Sequence, residues 1–351
     1  MKHTKYFLPF LVLGLLGQGC LSGNNAVGND GGVFWTEDAG ASWTQSADLP
    51  TIQGVTSMAG VNVTSLEVDP SDSSVWYVGT RANGLFYTTD NGISWQRPKG
   101  VEGREGAVLD IEVDPNDVCT AYLLKLDKII KTDDCHRSYK TLTVEKRADE
   151  QFTTFVLDWF NTQILWAGNT AGDIMKSIDG GISWTTVERV RNDVTAIAVS
   201  NADSRIVFVG TAGRGLWRSP DGGITWEEQE DALKNEFRNS DNIFSFAQSR
   251  DGSRVIMNTE YGLLNSFDRG VTWQALTLRH APGEIRIWDV AIHPANKDVI
   301  SYGTLGAIYI STDGGNAWSS ESLPSERAPM ALLVHPTNTA RLIVGFSTYN
   351  D

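Results

Sequence analysis

Between residues 63 and 98 the chain runs through four short β-rich stretches, "VTSLEVDP" (63–70), "VWYVGT" (75–80), "GLFYTTD" (84–90) and "SWQRP" (94–98). Asp-Pro, Asn-Gly and Asp-Asn-Gly separate them, so the pattern predicts four strands joined by tight turns. The link between the third and fourth, "TTDNGISW" (88–95), returns as "TEDAGASW" (36–43), "SIDGGISW" (177–184), "SPDGGITW" (219–226), "SFDRGVTW" (266–273) and "STDGGNAW" (311–318). A worn copy, "TDDCHRSY" (132–139), fills the one gap. The third residues of these phrases are Asp38, Asp90, Asp134, Asp179, Asp221, Asp268 and Asp313, separated by 52, 44, 45, 42, 47 and 45 residues. Four strands in a period of roughly 40–50 residues predict the blades of a β-propeller.

The two ends set the number of blades. Only "GVFW" precedes the first phrase, so residues 32–46 supply a third and a fourth strand, while residues 330–346, with "MALLVHP" and "RLIVGF", supply a first and a second. The halves fit into one blade. The expectation is therefore all-β: a single seven-bladed propeller of four-stranded blades over residues 32–351, closed by N-terminal strands that complete the last blade.

Turn chemistry explains the repeated phrase. The Asp carboxylate accepts hydrogen bonds from the turn's own N–H groups, Gly supplies positive φ two residues later, and the Trp packs apolar area against the blade. On these residues the chain resembles the Asp-box, or BNR, repeat proteins: sialidases, sortilins, the photosystem II assembly propellers and the xyloglucanase group of glycoside hydrolases. The resemblance covers about residues 32–346. It implies that the seven box aspartates are structural, because in these families the box lies away from the active or binding face.

The worn box has Cys135 and His136 in its turn and Tyr139 in place of Trp. Aligning "CTAYLLKLDKIIKTDD" (119–134) under residues 75–90 places Asp127-Lys128 at a hairpin turn, with Cys119 and Cys135 symmetric about it on facing strands. A metal site built on Cys119, Cys135 and His136 falls short of a structural zinc shell, so a disulfide is favoured and no metal or cofactor is expected.

The N-terminus adds a compartment. Lys2 and Lys5 precede an apolar run from Tyr6 to Leu16, then small residues and Cys20, the layout of a secretory signal. "LLGQGC" resembles a bacterial lipoprotein signal, although Gly17 stands where that family has Leu. The resemblance implies that residues 1–19 are removed and that Cys20 carries lipid, with residues 20–31 a Gly/Asn-rich tether. No other stretch is apolar enough to span a bilayer, so membrane contact is expected only through the anchor. The net charge is −14, and losing two lysines with the signal leaves −16, which argues against nucleic acid as a partner. The expectation is an exported monomer of the bacterial cell envelope.

Function is expected on the face opposite the boxes, where first strands begin and second-to-third-strand loops gather. Aligning first strands on their "VDP" or "HP" endings puts Ser65, Asp110, Asp158, Ala196, Ser245, Asp289 and Ala331 at one position near the channel mouth. Three aspartates there admit two readings. In one, a pair such as Asp110 and Asp289 works as acid and base on a glycosidic bond. In the other, which is preferred, each carboxylate binds loop N–H groups of its own or the neighbouring blade. A sialidase is disfavoured, because the Arg-Ile of "EIRIWD" (284–289) sits in the sixth blade with Trp288 where that family has proline. The xyloglucanase group uses two propellers facing a cleft, and one ring lacks the opposing wall.

What remains on that face reads as a docking surface. Arg81 and Arg214 sit in the loops "GTRANG" and "GTAGRG", and Arg104, Tyr261 and Trp288 can join them. In the photosystem II assembly propellers, which this chain resembles in size, blade count and Gly-Thr loops, arginines on one face contact the client protein. The resemblance implies a non-catalytic scaffold that binds an envelope protein or a glycan, and a glycoside hydrolase using Asp110, Asp158 or Asp289 is the alternative.

Overall fold

The computed structural model describes residues 29–349, so the predicted signal segment 1–19, Cys20 and the predicted tether up to residue 28 lie outside the described residues. Seven sheets stand around a ring, six of four strands and one of three. The closing blade joins Ala328–Val334 and Leu342–Ser347 to Gly32–Thr36 and Thr44–Ser46, with Val33 paired to Gly345. In the first blade the fourth strand shrinks to a single bridge between Tyr87 and Gln96. Three further pieces were not expected as strands or full helices: a hairpin of Asp48–Thr51 and Gly54–Ser57, a short helix Val101–Arg104, and a helix Glu230–Glu236 in the longest connection. Asp30, in the predicted tether, is held to the ring by the Arg327 guanidinium at 3.1 Å.

The ring has no single core. Its buried apolar residues fall into seven clusters, one at each joint between neighbouring blades. Val33, Val63, Trp76 and Ile343 seal the closing blade to the first, and Ala198, Phe208, Ile243 and Met257 seal the fourth to the fifth. First strands touch in sequence around the ring, from Val63–Val68 to Ala328–Val334 and back to Val63–Val68. The recurrent glycine of the second strands makes this approach possible. A Cβ on Gly79, Gly168, Gly210, Gly303 or Gly345 would collide with Val108, Val194, Ile243, Pro329 or Val63 of the next blade.

All seven boxes share the bonds made by the hydroxyl two before the Asp and by the N–H four after it, and six of them add a hydroxyl at that fourth position, where the sixth blade has Ala317. In the third blade Asp179 Oδ1 accepts from the Ser183 N–H at 2.9 Å and Oδ2 from the Ser183 hydroxyl at 2.5 Å. The Ser177 hydroxyl donates to Asp179 at 2.8 Å and accepts from the Gly181 N–H at 2.9 Å. These bonds hold the Asp38 and Asp179 carboxyls down at about 2. The hydroxyl two before the Asp, and in six of the seven boxes the one four after it, is as much part of the motif as the glycine and tryptophan. Positive φ is needed at two consecutive residues, as at Asn91 and Gly92 or Arg269 and Gly270, rather than at the glycine alone.

The first of those two residues turns its carbonyl outward, and a cation from the preceding blade takes it at four joints. Lys176 Nζ reaches the Gly222 carbonyl at 2.8 Å, Arg218 that of Arg269 at 2.9 Å, Arg254 that of Gly314 at 2.9 Å, and Arg341 that of Asn91 at 3.1 Å. Lys176 and Arg254 also lie over the rings of Trp166 and Phe267.

Candidate functional site: the two faces of the ring

On the face opposite the boxes, loops are shaped by a threonine that closes each Gly-Thr turn. Thr80 Oγ1 donates to the Gly84 carbonyl and accepts from Asn83, and Thr211 does the same for Gly215 and Arg214. These turns lift Arg81 and Arg214 to the surface, with different results. Arg81 is exposed, and no side-chain bond ties it to another described residue. Arg214 is engaged within the chain, its Nη1 at 3.3 Å from Glu230 of the helix. Arg104 is exposed beside the first loop, its backbone packed against Gly84 and its carbonyl taken by Arg97. Across the ring Tyr261 packs edge-on against Phe237 at 5.4 Å. Trp288 lies against Tyr349 at 5.3 Å and carries the Arg286 guanidinium at 4.1 Å, with Phe244 at 5.2 Å from the same cation. The predicted residues thus form two groups, Arg81 with Arg104, and Arg214, Tyr261 and Trp288 over the fourth to sixth blades. Arg286 belongs to the second group, and its place one residue before the buried Ile287 and two before Trp288 was the sequence signal for it.

The channel position needs one correction. Strand pairing puts Ser65, Ala196, Ser245, Asp289 and Ala331 opposite Gly79, Gly210, Asn258, Gly303 and Gly345, and Asp110 opposite Leu124. In the third blade, however, Thr154 faces Gly168, and Asp158 sits four residues further on. Asp158 caps the turn after the first strand, accepting from the Phe160 N–H at 2.8 Å and the Asn161 N–H at 3.3 Å, and is the counterpart of Asp69 and Asp114. The third blade reads "LDWF", without the proline of "VDP" or "HP", and its Asp158 was matched to the place of Asp110 although it stands where Asp69 and Asp114 do.

Asp110 and Asp289 each bind the next blade. Asp110 Oδ1 accepts from its own neighbour Ile111 at 2.9 Å, and the Phe155 N–H of the next blade favours its charged form. Asp289 Oδ2 accepts from Leu332 N–H at 2.9 Å and Oδ1 from Ser245 at 3.3 Å. Thr154 repeats the contact, accepting from the Ile197 N–H at 3.3 Å. Burial pushes both aspartates up to about 7 against the pull of these bonds. Two residues along, Glu67 and Glu112 were missed by the sequence reading, although "LEVD" and "IEVD" put an acid inside a strand in both. Both keep some contact with the open bore, and the crowding of protein around them pushes Glu67 up to about 8, with Asp110 adding repulsion. Glu112 is raised for the same reasons, burial first, then Asp110 and Glu67.

Cys119 and Cys135 are joined by a disulfide that ties the first turn of the second blade to its box. Among the described residues no group of three or more His, Cys, Asp or Glu is arranged to hold a metal ion.

On the box face the channel opens into a cavity of 360 Å³ lined by the turns that follow the first strands. Pro70, Trp159, Asn201, Arg250, Pro294 and Pro336 stand around it, with Glu67 and Leu333 deeper in. Sequence reasoning, directed to the opposite face, did not anticipate it.

With seven box turns, seven blades and the closing strands accounted for, the chain is an Asp-box (BNR) repeat β-propeller. Residues 86–97 match the BNR/Asp-box repeat, and residues 189–326 match the family of the photosynthesis system II assembly factor YCF48. A comparison with curated proteins finds no match. Among solved structures the chain is similar to a GH74 enzyme of Niastella koreensis, with 17% identity and a TM-score of 0.65 over 82% of this chain and 51% of that one. The GH74 xyloglucanase of Xanthomonas campestris gives 14% identity and 0.65, again over 82% and 51%. YCF48 bound to a D1 peptide gives 14% identity and 0.61 over 83% of this chain and 94% of that one, and YCF48 from Cyanidioschyzon merolae 12% and 0.60 over 82% and 95%. The chain thus spans about half the length of the GH74 enzymes and almost the whole length of the YCF48 chains. At these identities the likeness is one of fold.

Proposed function

We propose that the chain is an exported, lipid-anchored, non-catalytic propeller that docks an envelope protein or a glycan through the face opposite its boxes. One observation carries this reading. The carboxylates that a glycosidase would need are occupied in joining blades, Asp110 to Phe155 and Asp289 to Leu332, while Asp158 closes a turn. On the same face Arg81 and Arg104 stand exposed. That a solved structure has YCF48 bound to a D1 peptide supports peptide docking as a use of such a ring.

The glycoside hydrolase reading keeps one point in its favour, the raised carboxyls of Asp110 and Asp289, since an acid held near 7 is able to donate a proton at neutral pH. A panel of aryl glycosides and polysaccharides separates the two. The scaffold reading expects no turnover by the wild type, and capture of an envelope component that is lost on Arg81→Glu and Arg104→Glu. Turnover that falls by about two orders of magnitude in Asp110→Asn or Asp289→Asn would replace the scaffold with the enzyme.

A further inference from the structure

The residue that follows the cap of each first-strand turn occupies one equivalent place around the box-side mouth of the channel. In the first, second, sixth and closing blades it is proline: Pro70, Pro115, Pro294 and Pro336. In three consecutive blades it changes to Trp159, Asn201 and Arg250, and all three line the 360 Å³ cavity. A repeat that needed only its turns would keep the same small set of residues here. Instead an indole, an amide and a guanidinium replace proline along one arc, opposite an apolar wall of Pro294, Leu333 and Pro336.

Neither Trp159 nor Arg250 is explained by the fold, and Asn201 is explained only in part. Trp159 is 47% exposed and its neighbour Phe160 is 60% exposed, an arrangement that leaves apolar area in water without a packing partner. Arg250 is exposed, and its guanidinium has no hydrogen bond or ion pair among the described residues, unlike the cations that staple one blade to the next. Asn201 uses its Nδ2 on the Ser249 carbonyl at 3.0 Å, leaving Oδ1 as an acceptor at the rim. The acidic groups nearby do not close the site to an anion. Asp69 is buried and spends Oδ1 on the N–H groups of Ser71 and Asp72 and the Ser71 hydroxyl. Glu67, pushed up to about 8, carries a proton at neutral pH and is a donor.

We propose that this mouth is a second binding site, separate from the face opposite the boxes, for a saccharide bearing a carboxylate, that is, a uronic-acid residue of an acidic glycan. The C–H face of the pyranose ring lies on the Trp159 indole, the carboxylate pairs with Arg250, and hydroxyls meet Asn201 Oδ1 and the proton of Glu67. The volume is at the small end of the range that buries small molecules, which suits one or two sugar rings. The guanidinium supplies the discrimination, because a charge-assisted pair to a carboxylate is stronger than any bond it makes to a neutral hydroxyl.

The test is calorimetric titration of the full chain with tetragalacturonate, and with maltotetraose as the neutral counterpart. The acidic oligomer is expected to bind about tenfold or more tighter than the neutral one, and Arg250→Gln to remove that difference. Trp159→Ala should weaken binding of the acidic oligomer by about tenfold. Both residues are exposed, so melting temperatures matching the wild type check that the fold is intact. Arg81→Glu, which disables the proposed docking face, should leave the titration unchanged. No heat with tetragalacturonate at millimolar concentration, equal affinity for the two oligomers, or binding indifferent to both mouth substitutions would each overturn the site.

Discussion

The boxes of the second and third blades make the same bend from different chemistry. In the third, Gly180 and Gly181 take φ of 70° and 91°, values that glycine adopts without penalty. In the second, Cys135 and His136 take 56° and 63°, where a side chain costs about 1–2 kcal/mol per residue. The second blade offsets this through its neighbours. Cys135 is bonded to Cys119, and the His136 ring lies 5.4 Å from Tyr77 and 5.3 Å from Tyr87 of the first blade, with Nδ1 at 2.9 Å from the Tyr139 hydroxyl. The motif therefore requires a pair of left-handed residues held by the Asp and the hydroxyl two before it. Glycine and tryptophan are the usual way to provide for them, and a covalent tie with a buried aromatic stack is another.

The sharpest break in that comparison comes from the tryptophan of an intact box. Trp95 is fully buried and donates from Nε1 to Ser46 of the closing blade at 2.8 Å. Trp95→Ala should lower the unfolding free energy by about 4 kcal/mol in denaturant titration, and Tyr139→Ala, in the half-buried worn box, by about 2 kcal/mol. Next is the disulfide, which closes a loop of 16 residues in sequence separation. Cys119→Ser with Cys135→Ser should cost about 3 kcal/mol, measured the same way, whereas a reductant should leave the wild-type midpoint unchanged only if the bond does not form.

A pH series sharpens the contrast further. Burial pulls His136 from 6.5 down to about 4. Its folded pKa lies below its unfolded one, so the unfolded chain binds the extra proton, and stability falls as pH drops from about 6.5 toward 4. At pH 5 the loss from this one group should be about 2 kcal/mol, and His136→Gly should show a shallower slope over that window. Burial lowers His280, His293 and His335 as well, which adds to this slope, whereas the raised Asp110, Asp289, Glu67 and Glu112 oppose it, so the check is the difference between wild type and His136→Gly over the window. The smallest effect belongs to the first box, where Ala39 sits at φ 56°. Ala39→Gly should raise stability by about 1 kcal/mol, seen as a higher midpoint with an unchanged denaturant slope.

Much of this ring was legible in the chain. The box positions, the blade count, closure by both termini and the Cys119–Cys135 pairing could be read because each rests on residues close in sequence or on a repeated register. Asp158 went astray for the same reason, since a register read from endings fails where a blade's own ending departs from the shared form. Arg81 and Arg214 looked equivalent in their loops, and only the helix bringing Glu230 to Arg214 made them differ.

Local chemistry and periodicity were thus the sequence's to determine: a turn closes on its own Asp and hydroxyls, and alternation assigns a strand to a sheet wherever the chain is cut. Contacts between blades were decided by the tertiary structure, because they join residues about one repeat apart that share no motif. The cation reaching the next box's carbonyl, the carboxylate of Asp289 on Leu332, and the meeting of Trp159, Asn201 and Arg250 around one cavity all arise when the ring closes and fixes the order of neighbours. Closure turns seven equivalent positions into a circle, and a difference between repeats becomes a place on that circle.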